Sequence, residues 1–278
     1  MVDRSLKLVD EERDWQAARL PSGLFHVVND LVPDGQELVT VPPDASVEEA
    51  MQLMRDHDYS QLPVLSGPNV LGLFSYRSLA SHLPTAKQRV LDRDVEDLSD
   101  EPDFARVTDD LQDILPTLNR REAVLVGDPD NLLGVVTPTD VAAHLMDVTQ
   151  PFILLKEIEL SLRWLVRSMC PSGSLQTCIG SALGHQYGTG KAPLPTDLDQ
   201  LTLRELVEVV LNNESYREFF LTLFGRDRST PRSHLMPIPE IRNAVLHFRG
   251  DPSYADVDQL LSTRAWLQRK VRRLGGSL

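Results

Sequence analysis

The chain has 278 residues, of which 41% are hydrophobic and 25% charged, and its formal net charge at pH 7 is −13. These values are typical of a globular protein with room for two domains, and they argue against a disordered or fibrous chain. No stretch approaches 18 consecutive apolar residues, so the sequence predicts no membrane span. The N-terminal residues 1–15, MVDRSLKLVDEERDW, lack the apolar centre of a signal peptide, so we expect a cytoplasmic protein.

Charge is divided unevenly along the chain. Residues 1–150 carry 28 acidic and 12 basic side chains, a net −16, whereas residues 151–278 carry 13 acidic and 16 basic ones, a net +3. A polymer of phosphates would therefore favour the second half. The basic run RAWLQRKVRR at 264–273 agrees with this, although the same run is also typical of a solvated helix face.

In chain order, residues 1–29 are predicted to be an N-terminal helical segment, and an internal repeat follows. The segments 61–83 and 122–145 match each other, with Gly72 and Gly134 in equivalent positions. Each copy has an amphipathic helix, an apolar strand, a Pro/Asn turn, a second strand and a Ser/Thr-rich turn that opens another helix. We therefore predict two copies of one small α/β unit, at about 30–84 and 90–147.

The second copy ends its last strand with GVVTPTD, which places Thr137, Thr139 and Asp140 at the start of a helix. Asp140 can accept hydrogen bonds from the paired hydroxyls of a ribose. The two threonines can donate to a phosphate or ribose where backbone N–H groups favour an anion. Alternatively, Thr139 or Asp140 is only the N-cap of the helix, and both roles are compatible.

The first copy departs from this pattern. Its segment GLFSYRS keeps Ser75 but has Ser78 where the aspartate belongs. A serine cannot hold two ribose hydroxyls as a carboxylate can, so we expect a weaker, altered or empty site there. Arg77 is a candidate for a phosphate contact, although a surface arginine is the commoner case.

This repeat and its G-x-x-T/S-x-S/T-D motif resemble the tandem CBS domain pair, or Bateman module, over residues 30–147. The resemblance implies a regulatory sensor that binds an adenine nucleotide between the copies: AMP, ADP, ATP, a cyclic dinucleotide or a methyl-donor cofactor. Besides the threonines and the aspartate, it implies ligand contacts from Gly134, Thr108, Val124, Ser75 and Arg77. No metal is required by this prediction, and the two cysteines are too few for a four-ligand zinc site.

From Pro151 the pattern becomes helical. A helix is predicted over FILLKEIELSLRWLVRSM after that proline, followed by a loop from Cys170 to about Asp199. TLRELVEVVLN begins with a capping box, and ESYREFFLTLFG ends on a C-cap glycine. With two further helices this makes a small all-α bundle at 152–278, and an α+β protein as a whole.

One of these further helices, IPEIRNAVLHFR at 238–249, contains an arginine, an asparagine and a histidine. At 100° per residue, Ile241, Val245 and Phe248 share an apolar stripe that predicts the core face. Arg242 points away from His247, so one helix does not bring the two to one phosphate. A second copy across a symmetric dimer would.

RNAVLH resembles the R-x4–6-H motif of HEPN domains, whose nuclease members cleave RNA without a metal. The resemblance implies that His247 acts as general acid or base, that Arg242 stabilises phosphate charge and that Asn243 orients the histidine or the phosphate. Glu159 on the first helix of the bundle is a further candidate. Arg228 and His234 form a second match to the same loose pattern.

Two functions therefore remain open. Either the protein is a nucleotide-controlled, homodimeric ribonuclease with RNA rather than DNA as its substrate, or its helical domain is a non-catalytic module for dimerisation or partner docking. In both, the helix that begins near Asp140 is expected to carry the signal from the CBS pair into the bundle.

Overall fold

The computed structural model describes residues 26–32, 38–82, 90–171, 173–187, 193–248 and 252–275. Most of the predicted N-terminal helical segment therefore lies outside the described residues. The chain divides into two compact units, and the division falls between Leu145 and Met146. The first contains strands and helices and the second only helices among its described residues, which confirms the predicted α+β class.

The first copy of the repeat consists of α1 (Val47–His57), β1 (Gln61–Ser66), β2 (Asn69–Ser75) and α2 (Tyr76–His82). Strands β1 and β2 form an antiparallel hairpin in which Val64 lies opposite Gly72, and the register shifts immediately after Val64. Val41 pairs with Val64 in parallel on the other side.

The second copy repeats this arrangement with β3 (Phe104–Ala105), α3 (Leu111–Arg121), β4 (Val124–Asp128) and β5 (Asn131–Val136). Val126 lies opposite Gly134, and the register shift again follows at once. Strand β3 runs parallel to β4, with Ala105 beside Val126. The match between the two segments is therefore a match of strand register as well as of sequence.

The segment that leads into each copy packs in the core of the other copy, an arrangement referred to below as the exchange of the leading segments. Residues Val28–Leu31, which precede the first copy, form a short 3-10 turn whose Val28 and Leu31 are buried in the core of the second copy. The segment before the second copy does the reverse, because Val95 and Leu98 are buried in the core of the first. Backbone hydrogen bonds hold both crossings, so the two copies form one folded unit.

The second unit contains, in order, the rest of α4 (Pro138–Met169), α5 (Leu175–Tyr187), α6 (Leu203–Leu211), α7 (Asn213–Ser215), a π-helical segment (Tyr216–Phe220), α8 (Leu221–Phe224), α9 (Ser229–Leu235), α10 (Ile238–Leu246) and α11 (Tyr254–Arg273). One large apolar core joins them, and Ile158, Leu162 and Leu165 of α4 are fully buried in it. No helix in the described ranges has both the length and the apolar content needed to cross a bilayer.

Two predicted boundaries are wrong. Helix α4 does not start after Pro151 but runs through it from Pro138. A proline inside a helix removes one backbone hydrogen bond, and here Pro151 and the following Leu154 and Leu155 are buried. The predicted loop after Cys170 contains α5, whose Cys178, Ile179, Ala182 and Leu183 are buried at helical spacing despite two glycines in the helix.

The predicted helix caps are confirmed. The hydroxyl of Thr202 accepts a hydrogen bond from the N–H of Glu205, whose carboxylate accepts from the N–H of Thr202 at 2.7 Å. Helix α8 ends at Phe224, and Gly225 follows with a φ of 94°. Side-chain hydrogen bonds therefore fix the start of α6, and the positive φ that glycine permits fixes the end of α8, as predicted.

The expected core face of α10 is only partly right. Ile241 and Val245 are buried, but Phe248 is 83% exposed. The helix ends at Leu246, and Phe248 lies in a turn with a φ of 50°. Since helical spacing stops applying after Leu246, the position of Phe248 no longer follows from Ile241 and Val245.

Candidate functional site

A cleft of about 280 Å³ lies within the CBS-like unit and takes residues from both copies. The second copy contributes Thr137, Thr139 and Asp140. The remaining lining residues come from the segment before α1, from the α1–β1 connection and from the strands: Leu38, Val39, Asp58, Tyr59, Ser60, Gln61, Pro63 and Val135. The cleft therefore brings together the three residues that the sequence motif singled out.

Thr137 and Asp140 form a capping box at the start of α4. One carboxylate oxygen of Asp140, Oδ2, accepts hydrogen bonds from the backbone N–H of Thr137 at 2.8 Å and from its hydroxyl at 2.7 Å. The N–H of Asp140 in turn points to the Thr137 hydroxyl at 3.4 Å. Within the described residues the second oxygen, Oδ1, has no hydrogen-bond partner, so it is the one that can receive a ligand hydroxyl.

The predicted capping role therefore falls to the pair Thr137 and Asp140 and not to Thr139. Pro138 occupies the first helical position, where its missing N–H is no loss. The Thr139 side chain is exposed and lines the cleft. The positive end of the helix macrodipole lies at this first turn, so it favours an anionic group of a ligand.

The part of the cleft that the first copy contributes was not predicted from the sequence. Helix α1 ends at His57, and Asp58 follows in the left-handed conformation with a φ of 55°. This turn presents Tyr59, which is 42% exposed and stacks on the His57 ring with centroids 5.6 Å apart. A tyrosine ring held in this way offers a flat surface to a purine base.

The charges in the cleft are negative. Asp58 and Asp140 line it, whereas no lysine or arginine in the described part of the chain does. This arrangement favours the hydroxyl-bearing and uncharged parts of a nucleotide and disfavours a long polyphosphate.

The other predicted nucleotide contacts do not line this cleft. Thr108 is exposed in the turn before α3, and Val124 is 2% exposed at the start of β4. Gly134 is buried opposite Val126. Arg77 donates a hydrogen bond to the backbone carbonyl of Arg120, so its guanidinium is engaged in the contact between the two copies.

In the first copy, Ser75 and Ser78 form the same local arrangement as Thr137 and Asp140. The Ser78 hydroxyl accepts from the N–H of Ser75 at 2.9 Å, and the N–H of Ser78 donates to the Ser75 hydroxyl at 3.0 Å. Ser78 is fully buried. The first copy thus keeps the cap of the helix and has no carboxylate to offer a ribose.

In the helical unit, the structure brings two of the four predicted catalytic residues together. Arg242 donates to the side-chain carbonyl of Asn243 at 3.3 Å, and its Nε is buried without a hydrogen-bond partner among the described residues. His247 follows the end of α10 and is exposed. In the described part of this chain no hydrogen bond or ion pair joins His247 to Arg242.

Glu159 lies elsewhere, in an ion pair with Arg163 at 2.5 Å on the same helix. Arg163 also donates to the backbone carbonyl of Leu201 at 2.8 Å. Arg163 therefore joins α4 to the segment before α6, and the ion pair that orients Arg163 gives Glu159 a structural role.

The second match to the histidine motif is occupied by structural contacts. Arg228 lies over the Tyr216 ring, 4.8 Å from its centroid, and donates to Asn213. His234 stacks on Trp266 with ring centroids 4.9 Å apart. Burial, followed by the charge of the nearby Arg269, lowers the pKa of His234. These contacts favour RNAVLH as the better of the two candidates.

The fold defines the N-terminal part as a module of two related α/β copies with a cleft that takes residues from both. The CBS domain family model matches residues 29–85 and 93–147, so this part consists of two tandem CBS domains. The resemblance noted over residues 30–147 is thereby confirmed for the module.

Among curated proteins, the chain is 30% identical over 110 residues to the inosine-5′-monophosphate dehydrogenase of Korarchaeum cryptofilum (strain OPF8). The match covers 38% of this chain and 22% of that enzyme. The chain thus spans about a fifth of the length of this relative.

Similar solved structures are CBS proteins. A CBS-domain-containing protein from Agrobacterium tumefaciens is 23% identical and covers 44% of this chain and 96% of its own, with a TM-score of 0.40. CBSX2 in complex with AMP is 23% identical, with coverages of 45% and 98% and a TM-score of 0.39. The CBS domain of a bacterial CNNM/CorC family Mg²⁺ transporter in complex with ATP is 25% identical, with coverages of 44% and 87% and a TM-score of 0.37.

Proposed function

We propose that this protein is a regulatory sensor that binds an adenine nucleotide in the cleft between its CBS domains, with AMP as its preferred ligand. The observation that carries the proposal is the Asp140 carboxylate, which is fixed through one oxygen at the start of α4 and has no hydrogen-bond partner on the other among the described residues. The AMP and ATP complexes named above belong to other proteins of low overall likeness. The proposal therefore rests on the cleft of this chain and on the family to which the module belongs.

The cleft suggests how each part of the ligand binds. The free oxygen of Asp140 accepts from a ribose hydroxyl, as a carboxylate is well suited to do. The base lies against Tyr59 and the apolar side chains of Val39 and Pro63. The phosphate lies at the first turn of α4, near Thr139, where the helix dipole favours an anion.

The negative charges that line the cleft favour a nucleotide with few phosphates. Among the residues that the structure describes, Asp58 and Asp140 line the cleft and no lysine or arginine does. Each additional phosphate brings further negative charge near these carboxylates, so ATP gains less than AMP from the same contacts. We expect AMP to bind at least about tenfold more tightly than ATP without added magnesium, a difference of about 1.4 kcal/mol.

Calorimetric titration of the full chain with AMP, ADP, ATP and a cyclic dinucleotide tests this proposal. The Asp140→Ala variant should lose AMP binding, while Asp113→Ala, which removes an exposed carboxylate from the first turn of α3, should retain it. Tighter binding of ATP than of AMP would contradict the charge argument. Equal AMP binding by wild type and Asp140→Ala would contradict the site.

We further propose that the helical residues 152–278 form the output domain, and that its activity is metal-independent RNA cleavage by Arg242, Asn243 and His247. In its support, the buried Nε of Arg242 has no hydrogen-bond partner within the described ranges, and His247 is exposed for contact with a substrate. Because this chain does not join the two, the hypothesis requires a second chain that supplies the other half of the site. Ligand at the first turn of α4 would act on this domain through that helix, which ends at Met169.

A specific observation favours the alternative of a docking module. Phe248 and Tyr254 are 83% and 95% exposed, so both aromatic side chains are available to a partner protein. RNA cleavage by the purified protein in EDTA, with and without AMP, separates the two functions. Cleavage lost in His247→Ala and kept in His185→Ala supports the ribonuclease, whereas no cleavage under any condition favours the docking module.

A further inference from the structure

Three potential metal ligands meet in the CBS unit, apart from the nucleotide cleft. They are His26, Asp30 and His144, and their ligand atoms all lie within 4.8 Å of one another. The Nδ1 of His26 is 3.3 Å from the Nε2 of His144, and the two rings are steeply inclined at 74°. None of these three residues lines the proposed nucleotide cleft.

The fold holds the backbone of all three residues. The carbonyl of His26 accepts from the N–H of Leu111 at 3.0 Å, which ties it to the start of α3. Asp30 belongs to the 3-10 turn whose Val28 and Leu31 are buried in the core of the second copy. His144 lies one turn beyond Val141 on α4, and Val141 is buried in that same core.

The side chains remain accessible. His26 and Asp30 are exposed and His144 is half-buried. One oxygen of Asp30 accepts from the backbone N–H of Val27 at 3.1 Å, which orients the carboxylate. Its other oxygen has no hydrogen-bond partner among the described residues, so it can bind an ion.

The distance between the two imidazole nitrogens fits a tetrahedral ion. Zinc–nitrogen bonds of about 2.0–2.1 Å at a tetrahedral angle place two ligand nitrogens roughly 3.3–3.4 Å apart. The observed separation is 3.3 Å. The carboxylate oxygen needs to approach by no more than about 1.5 Å to complete the set, a movement within the range of an exposed aspartate side chain.

We propose that His26, Asp30 and His144 bind a divalent cation of the zinc type, with water in the remaining position. Two imidazoles and one carboxylate suit Zn²⁺, Co²⁺ or Ni²⁺, whereas Mg²⁺ and Ca²⁺ prefer oxygen ligands alone. Such an ion joins the segment before the first copy to α4, two parts of the unit that are distant in sequence. It would therefore fasten the exchanged segment in place.

The test is calorimetric titration of the full chain, without an affinity tag, with ZnCl₂ in a non-chelating buffer. Co²⁺ serves as a second probe, because its visible absorption reports tetrahedral nitrogen and oxygen ligands. We expect one equivalent of Zn²⁺ to bind and to raise the melting temperature. Loss of an outer partner of a metal ligand costs about 10- to 100-fold in affinity, so His26→Ala or His144→Ala should weaken binding by at least about 100-fold.

Asp30→Asn is the conservative variant, because its side-chain oxygen can still accept from Val27 while the charge is lost. It should weaken Zn²⁺ binding and leave the melting temperature of the metal-free protein within about 2 °C of wild type. His185→Ala, which removes an exposed histidine from α5, should bind as wild type does.

The alternative is that the two imidazoles only share a hydrogen bond. Absence of Zn²⁺ binding in the wild type would establish that and overturn the proposal. Undiminished binding by His144→Ala, or binding that disappears in Cys170→Ser instead, would place the ion elsewhere and overturn it equally.

Discussion

Replacing Asp140 by serine separates the two roles of this carboxylate. The first copy of the repeat already contains the replacement, because Ser78 caps its helix through bonds of 2.9 and 3.0 Å to Ser75. Asp140→Ser should therefore keep the cap at Thr137 and lose only the oxygen that faces the ligand. Asp140→Ala should lose both.

The expected magnitudes differ enough to be measured. Loss of a helix cap costs about 1 kcal/mol of unfolding free energy, and we expect this in Asp140→Ala but less than about 0.5 kcal/mol in Asp140→Ser. Hydrogen bonds to a charged group contribute about 1.5–3 kcal/mol each. Loss of the ligand-facing oxygen should weaken AMP binding by about 2–3 kcal/mol, or roughly 30- to 150-fold in Kd.

Urea unfolding measures the first quantity, and calorimetric titration with AMP measures the second. Wild-type AMP affinity in Asp140→Ser would refute the assignment of the carboxylate to the ligand. An equal loss of unfolding free energy in the two variants would refute the comparison with the first copy.

Three further predictions concern stability and reactivity. Burial and a nearby arginine lower the pKa of His234 in the folded state. As the pH falls, the unfolded state therefore takes up the histidine proton at a higher pH than the folded state does. The unfolding free energy should fall as the pH drops below about 6.5. Cys170 and Cys178 are buried free thiols whose sulfurs lie 3.5 Å apart, and burial raises the pKa of both. They should resist a thiol reagent at pH 8 in the native protein and react on unfolding. A Cβ added at Gly72 would lie 2.8 Å from that of Ser99, so Gly72→Ala should cost about 1–3 kcal/mol in urea unfolding.

Each of these has a control. His234→Gln should remove its part of the pH dependence, and an unchanged pH profile would contradict the burial argument. Rapid labelling of Cys170 in the folded chain would show that the core around it opens. Gly173→Ala places its Cβ in open space and should leave stability within about 0.5 kcal/mol, in contrast to Gly72→Ala.

The repeat and the capping motif could be predicted because both are local. A strand, a two-residue turn and a second strand leave their pattern in about 15 consecutive residues, and Thr137 and Asp140 are three positions apart. The exchange of the leading segments could not be predicted in this way. The apolar pattern of Val28 and Leu31 is compatible with burial in either copy, and only long-range packing decides which copy buries them.

The same reason explains what was missed in the helical half and in the cleft. Gly180 and Gly184 favour a loop by their intrinsic propensity, and α5 forms because its apolar stripe packs on the core. Tyr59 lies outside any motif, and its position depends on the left-handed turn at Asp58. His26 and His144 are separated by 118 positions, so their spacing carries no recognisable metal signature.

The two proposed ligand sites of the CBS unit lie on the same stretch of α4. Asp140 and His144 are four residues apart, which is about one helical turn and an axial rise of about 6 Å. An ion that fixes His144 restrains the turn that presents Asp140, so each ligand should reduce the ordering that the other must impose. Linkage requires the two effects to be equal: the factor by which Zn²⁺ changes the Kd for AMP must be the factor by which AMP changes the Kd for Zn²⁺. Two titrations in each direction measure both factors. A factor of one in both directions would mean that the ion and the nucleotide bind independently, and that the turn between Asp140 and His144 does not couple the two sites.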